Sequence, residues 1–271
     1  MREVEPEVFA EWKAAVLGSA AHHRLYNGEE ELYWKRYSRD YEKNRTSGAH
    51  FHHVIDWLNV KIPQGSSVLE IGPGPAVFTR PLVVRCGSMT VVEPSPALAE
   101  QIEQAMRGYP DLNLVRERWE DVSLPLHDFV FCAGALHLFA DIREALNKMI
   151  NHARSKVLLV LLDDEQAIQR EAAGFLNLKM RLPENPLSTL FAEVLVCLGL
   201  VSHWESFKEE QTYLYPNIDV LINLWKDDMQ IDDSFNHDLM EFFREKGLCG
   251  GFGQEITVPR RFTSHLVEIT V

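Results

Sequence analysis

The segment from Ser67 to Glu93, SVLEIGPGPAVFTRPLVVRCGSMTVVE, constrains this chain more than any other stretch. Val68, Leu69 and Ile71 form a short apolar run that stops at Gly72-Pro73-Gly74. Ala76 to Val84 then carries apolar residues at helical spacing, and a second run, Met89 to Val92, ends at Glu93. That order predicts strand, turn, helix and parallel strand. Two glycines after a buried strand let the backbone turn sharply and let a ligand approach main-chain N–H groups that a β-carbon would cover. Glu93, at the tip of the second strand, is placed to accept hydrogen bonds from two ribose hydroxyls, so a nucleoside site is predicted. A dinucleotide fingerprint requires a third glycine where Val77 stands, and no pyrophosphate loop is predicted. Glu70 is a carboxylate on an otherwise apolar strand. Burying it is costly unless it meets a partner, and an amino-acid ammonium group is one.

Glu70-Ile71-Gly72-Pro73-Gly74, followed by Glu93, resembles motif I of the class I S-adenosylmethionine-dependent methyltransferases and the acidic residue that ends their second strand. The resemblance implies a Rossmann-like, doubly wound α/β fold. Its sheet has seven strands in the order 3-2-1-4-5-7-6, with strand 7 antiparallel. It also implies that Glu70, Gly72, Pro73 and Gly74 lie around the methionine part of S-adenosylmethionine, and that Glu93 holds the ribose with Pro94 and Ser95 beside it. Trp34, Ser38 and Tyr41 resemble the segment that precedes the core in many small-molecule methyltransferases and closes over the cofactor; of these Tyr41 is taken as a cofactor contact. The resemblance covers about residues 31 to 165.

The remaining elements follow from periodicity. Val8 to Leu17, Glu29 to Lys43 and Phe51 to Leu58 read as helices, with Asn27-Gly28 as a turn, so residues 1–59 form an N-terminal helical lid or extension before a cofactor-binding domain at 60–271. Ala97 to Met106 is a crossover helix, Leu112 to Val115 the third strand, and the apolar core of His127 to His137 the fourth. Asp141 reads as the N-cap of a helix over Ile142 to Ile150. Val157 to Leu162 is a continuous apolar run suited to the centre of a parallel sheet. Insertions are expected at about 163–188, broken by Pro183 and Pro186, and at 216–250. A helix over Leu187 to Leu198 and a sixth strand over Val201 to Tyr215 separate them. Helices around Leu221 to Trp225 and His237 to Arg244, glycines at 247, 250, 251 and 253, and a last strand near Ser264 to Val271 complete the chain.

In the resembled family the loop after strand 3 lines the adenine, often with an acidic residue; here that position is Arg118. Trp119 as a stacking face or Glu120 as an acceptor is then expected to carry the contact. Open α/β sheets bind ligands at the carboxyl ends of their strands, so Cys132 to His137 should face the transferred methyl group, with Cys132 and Ala133 touching the cofactor. His137 is the residue to act as a base or to orient the acceptor. His22, His23, His50, His52 and His53 do not make the HExxH pattern by which one helix face presents two histidines to a metal, and no metal is expected.

The formal net charge of −13 and the absence of a Lys/Arg run argue against a polyanionic partner. Cys-Ala-Gly-Ala, and not Asn-Pro-Pro-Tyr, follows strand 4. A small-molecule acceptor is therefore expected, with no nucleic acid, no membrane and a possible homodimer. The N-terminus lacks a secretory pattern, which suggests a cytoplasmic enzyme. Cys86, Cys132, Cys197 and Cys249 have no CxxC pair and read as buried thiols. Three rivals stand beside methyl transfer: transfer of the cofactor's aminobutyrate arm, as in nicotianamine-synthase-like enzymes; a nicotinamide-dependent oxidoreductase, disfavoured by the missing glycine; and a non-catalytic cofactor-binding protein.

Overall fold

A computed structural model describes residues 6–178, 186–248 and 254–271. Four helices, α1 (Glu7–Leu17), α2 (Ala20–Asn27), α3 (Glu30–Thr46) and α4 (Ala49–Lys61), precede β1 (Ser67–Ile71). The core then alternates: α5 (Thr79–Val83), β2 (Ser88–Val92), α6 (Pro96–Ala105), β3 (Leu112–Val115), β4 (His127–Ala133), α7 (Ile142–His152) and β5 (Ala153–Asp164). The last part runs through α8 (Ala167–Phe175), α9 (Leu187–Cys197), β6 (Ser202–Tyr215), α10 (Ile218–Met229), α11 (Asn236–Glu245) and β7 (Ile256–Thr270). The seven strands are ordered β3-β2-β1-β4-β5-β7-β6. β1 to β5 are mutually parallel, and β7 pairs antiparallel with both β5 and β6, as expected.

Strand alternation divides the core between the two sheet faces. Leu69, Ile71, Val130 and Cys132 join α1, α7 and α9 on one face, whereas Val68, Phe129 and Phe131 join α4, α5 and α6 on the other. The N-terminal helices are part of this packing. Trp12 of α1 is fully buried and its indole Nε1 donates to the Phe139 carbonyl at 2.8 Å. A third apolar cluster joins α8, α10 and α11 to the far ends of β6 and β7.

Several elements differ from the sequence reading. The helix expected over Ala76 to Val84 is only five residues long, because Pro75 precedes Ala76 and Ala76 takes φ 62°, a left-handed turn that no helix continues through. The polar stretch before Asn27-Gly28 is a helix, α2. Ser19 caps its start, and Gly28 at φ 74° ends it. β7 begins at Ile256, eight residues before Ser264, since its first half pairs with β6 beyond the end of β5. Cys197 is exposed, not buried. Pro183, Cys249 and the glycines at 250, 251 and 253 lie outside the described residues. Asp141 does cap α7, with Oδ1 accepting from the Glu144 N–H at 2.9 Å.

Candidate active site

The site lies where β1, β2 and β4 end. Gly72 leaves β1 at φ 64° and Gly74 follows at φ 56°, so the loop turns over without side chains. A β-carbon on Gly74 would meet nothing within 4 Å, leaving that backbone open to a ligand. Glu93 ends β2. It is 4% exposed, and its Oε1 accepts from the Ser95 N–H at 2.9 Å. Ser95 also caps α6 and donates through Oγ to Glu31 of α3 at 3.0 Å. The same Glu31 carboxylate accepts from the Ala97 N–H at 3.2 Å, an acidic group at the positive end of α6. These bonds fix α3 against α6 and so set the roof of the site.

Under that roof lies a cavity of about 240 Å³. Gly72, Pro73, Gly74, Glu93 and Pro94 form one side, and Ala133, Gly134, Ala135 and His137 the floor past β4. Tyr33, Trp34 and Tyr41 of α3 come from above, with Trp34 and Tyr41 packed edge to face at 5.4 Å. Of the residues expected to touch a cofactor, Gly72, Pro73, Gly74, Glu93, Pro94, Ala133 and Tyr41 line this cavity, as does His137.

Five others do not. Glu70 is buried behind the loop, where the Thr79 hydroxyl donates to its Oε2 at 2.7 Å. Ser95 acts through Glu93. Trp119 is a core residue, 2% exposed, with its Nε1 donating to the Ala145 carbonyl at 3.3 Å and Lys148 Nζ lying 4.8 Å from its ring. Its ring therefore packs against α7 and offers no stacking face. Glu120 is exposed on a shallow depression beside α7. Cys132 points into the core because strand alternation turns its side chain away from the cavity, and burial pushes its thiol up to about 12. The sequence reading missed Arg24, Glu30 and Arg45, which also line the cavity; His50, read as a helix-start histidine, lines it too, buried with Nδ1 2.7 Å from the Ser264 hydroxyl.

Electrostatically the cavity carries the buried acid Glu93 on its wall, with a second buried acid, Glu70, behind the loop. Burial, and then the charges of Glu30 and Glu70, push the Glu93 carboxyl up to about 8 against the Ser95 and Gly74 N–H groups. Burial raises Glu70 to about 7, opposed by the Thr79 hydroxyl. Burial lowers His137 to about 4, helped by the charges of Arg24 and Arg45. An acid whose folded pKa is raised contributes stability below its unfolded value, near 4.5, and loses it as pH rises through the folded one. The free protein is therefore expected to lose stability from pH 5 to pH 8, and Glu93→Gln should flatten that slope in urea unfolding.

The geometry defines an α/β nucleoside-binding domain. The residues fit the nucleoside end of S-adenosylmethionine: an open glycine backbone, and a buried carboxyl, Glu93, that has no cation within ion-pair distance among the described residues and would be satisfied by two ribose hydroxyls. A family model for ribosomal RNA adenine dimethylase matches residues 33–137. Among curated relatives, a ribosomal RNA small subunit methyltransferase A of Polaromonas sp. is 47% identical over 51 residues, which is 19% of this chain and 14% of that protein. Another, from Albidiferax ferrireducens, is 36% identical over 70 residues, 26% of this chain and 24% of that one. The matches span between 14% and 31% of the length of these curated relatives. Among solved structures, a candidate methyltransferase from Bacillus halodurans superposes with a TM-score of 0.55 at 12% identity, over 82% of this chain and 99% of that one. The YcgJ protein of Bacillus subtilis gives 0.54 at 16% identity, over 81% and 97%. The chain belongs to the class I S-adenosylmethionine-dependent methyltransferase superfamily.

These matches overturn one expectation. Nucleic acid was excluded as a partner on net charge and on the end of strand 4, yet the matching family and relatives are named for ribosomal RNA. A net charge is a sum over the whole chain and does not describe the face that meets a substrate.

Proposed function

We propose that this chain transfers the methyl group of S-adenosylmethionine, and that its acceptor is an adenine amino group of ribosomal RNA. The observation that carries methyl transfer is Glu93, a buried carboxyl facing a glycine-walled cavity at the carboxyl ends of parallel strands. The acceptor reading is supported by the family match over residues 33–137. When bound, the cofactor supplies an electrophilic methyl group and a neutral thioether leaving group. The chain's own part is to orient and to exclude water: Glu93 fixes the ribose, Gly72 and Gly74 admit the cofactor to the backbone, and Trp34 and Tyr41 close the roof. His137, neutral at pH 7, can accept a hydrogen bond from the attacking group at the cavity floor, but its lowered pKa makes it a poor proton store.

A second reading keeps the chemistry and makes the acceptor a small molecule. It is favoured by Cys132-Ala133-Gly134-Ala135, where an amine-recognising Asn-Pro-Pro-Tyr would stand, and by the helices that cover the cavity.

The test is incubation with methyl-tritiated cofactor and either small-subunit ribosomal RNA or a panel of small amines, phenols and acids, with mass analysis of the spent cofactor. Label in RNA supports the first reading, and label in a small product supports the second. Methylthioadenosine in place of S-adenosylhomocysteine overturns methyl transfer, as does a protein that binds no S-adenosylhomocysteine.

A related expectation concerns pH. Ribose hydroxyls donate best to an ionised carboxylate, so binding should draw the proton from Glu93. The affinity for S-adenosylhomocysteine is expected to rise from pH 6 to pH 8, by up to about tenfold per unit while the free carboxyl stays protonated. Titration calorimetry in buffers of different ionisation enthalpy should show proton release that Glu93→Gln abolishes.

A further inference from the structure

A second cavity, of about 130 Å³, opens beyond α3 toward β6 and β7, and it shares Tyr33, Tyr41 and Arg45 with the first. We propose that this inner cavity holds an acidic group of the acceptor, a carboxylate or a phosphate, on the guanidinium of Arg45. The proposal rests on the methyl-transfer reading, because it places that group one side chain away from the cofactor cavity.

The charges around the two cavities are unevenly matched. Arg260 is paired with Asp164, and Arg24 lies 3.7 Å from Asp228. Arg45 has no carboxylate within ion-pair distance among the described residues; its Cζ stands 5.1 Å from the Tyr41 ring centroid, and Tyr41 is also its hydrogen-bond partner. Asp40 lines the same cavity, but the nearby charge acting on it is Lys43. His50 and His137 on the first cavity's side are held neutral, by burial first and then by the charge of Arg45 among others. A guanidinium in such a place is part-buried without an anion, which is costly unless an anion arrives. Its planar fork matches a carboxylate or a phosphate with two parallel hydrogen bonds. Tyr213, Tyr215 and Trp225 give the cavity aromatic walls, Asp164 and Asp228 line it beside the arginines that pair with them, and Arg260 is stacked 5.1 Å over Tyr213. An aromatic-walled site in which Arg45 is the cation without a carboxylate partner among the described residues suits an acidic group.

Two anionic probes and their neutral partners distinguish the sources: benzoate against benzamide for a carboxylate, and adenosine monophosphate against adenosine for a phosphate. Each is titrated into wild type and into Arg45→Ala and Arg45→Lys, with and without saturating S-adenosylhomocysteine. Tighter binding of either anion than of its neutral partner, lost at least tenfold in Arg45→Ala and partly kept in Arg45→Lys, supports the proposal and names the source. Loss of S-adenosylhomocysteine binding in Arg45→Ala, with methylthioadenosine binding intact, would assign Arg45 to the cofactor's own carboxylate and overturn it. Equal binding of charged and neutral probes to wild type would overturn it too. Failure of wild type to bind S-adenosylhomocysteine would reject the methyl-transfer reading, and a preference for either anion in that protein would still identify the Arg45 site.

Discussion

Replacing Glu93 with alanine is expected to weaken S-adenosylhomocysteine binding by about 100-fold or more while the sheet stays folded. Hydrogen bonds to a charged group contribute about 1.5–3 kcal/mol each, and two ribose hydroxyls would share this one carboxylate. The effect on the free protein is of a different sign. Glu93 is buried among acids, and its carboxyl is pushed up to about 8, so at neutral pH its environment disfavours its charge. Removing it relieves that conflict and at the same time leaves the Ser95 and Gly74 N–H groups without an acceptor. Glu93→Gln keeps an acceptor for them without the charge. We therefore expect Glu93→Gln to melt at or above the wild-type temperature above pH 7, yet to bind S-adenosylhomocysteine far more weakly. Calorimetric titration beside thermal unfolding checks both. An affinity within threefold of wild type in both variants would remove Glu93 from the cofactor site.

The parts of this molecule legible in the sequence are those whose physics is local. The β1 run, its glycines and Glu93 stand in register within 27 residues, and the cavity forms around Gly72, Gly74 and Glu93. The run Val157 to Leu162 is apolar throughout because β5 lies between β4 and β7, with both faces covered. What was misread depends on contacts far along the chain. Trp119 could stack on a purine or pack in a core, and the choice is made by α7, whose Ala145 carbonyl accepts its indole N–H. The first half of β7 contains Pro259, Arg260 and Arg261, and the sequence places the last strand only near Ser264 to Val271. That half is a strand because β6 runs antiparallel beside it through Tyr215. Arg24 and Arg45 look like ordinary charges on polar helices, and only the folding of α2 and α3 over the strand ends turns them inward. Glu70 shows the converse. Its position on the strand is buried, as expected, and the Thr79 hydroxyl, nine residues on, donates to it.

Gly72→Val is expected to reduce stability and cofactor binding together, whereas Gly74→Ala should mainly affect binding. Gly72 sits at φ 64°, and a β-carbon there would stand 2.7 Å from the Ala135 β-carbon on the loop after β4. The left-handed conformation costs about 1–2 kcal/mol for any other residue. Crowding in a packed site adds about 1–3 kcal/mol, since the neighbour is the first atom of a side chain close to its own backbone and has little room to move. For a chain of this size the sum corresponds to a melting temperature lower by about 5–15 °C. Gly74, at φ 56° with open space where a β-carbon would go, carries the conformational cost alone. If both glycines serve only the turn, Gly74→Ala loses about 1 kcal/mol and keeps full affinity for S-adenosylhomocysteine. If the backbone at Gly74 is where the cofactor approaches, the methyl group occupies that approach, and affinity should fall at least tenfold with little further change in melting temperature. Equal affinity in wild type and Gly74→Ala would confine the cofactor's contacts to Glu93 and the roof helices.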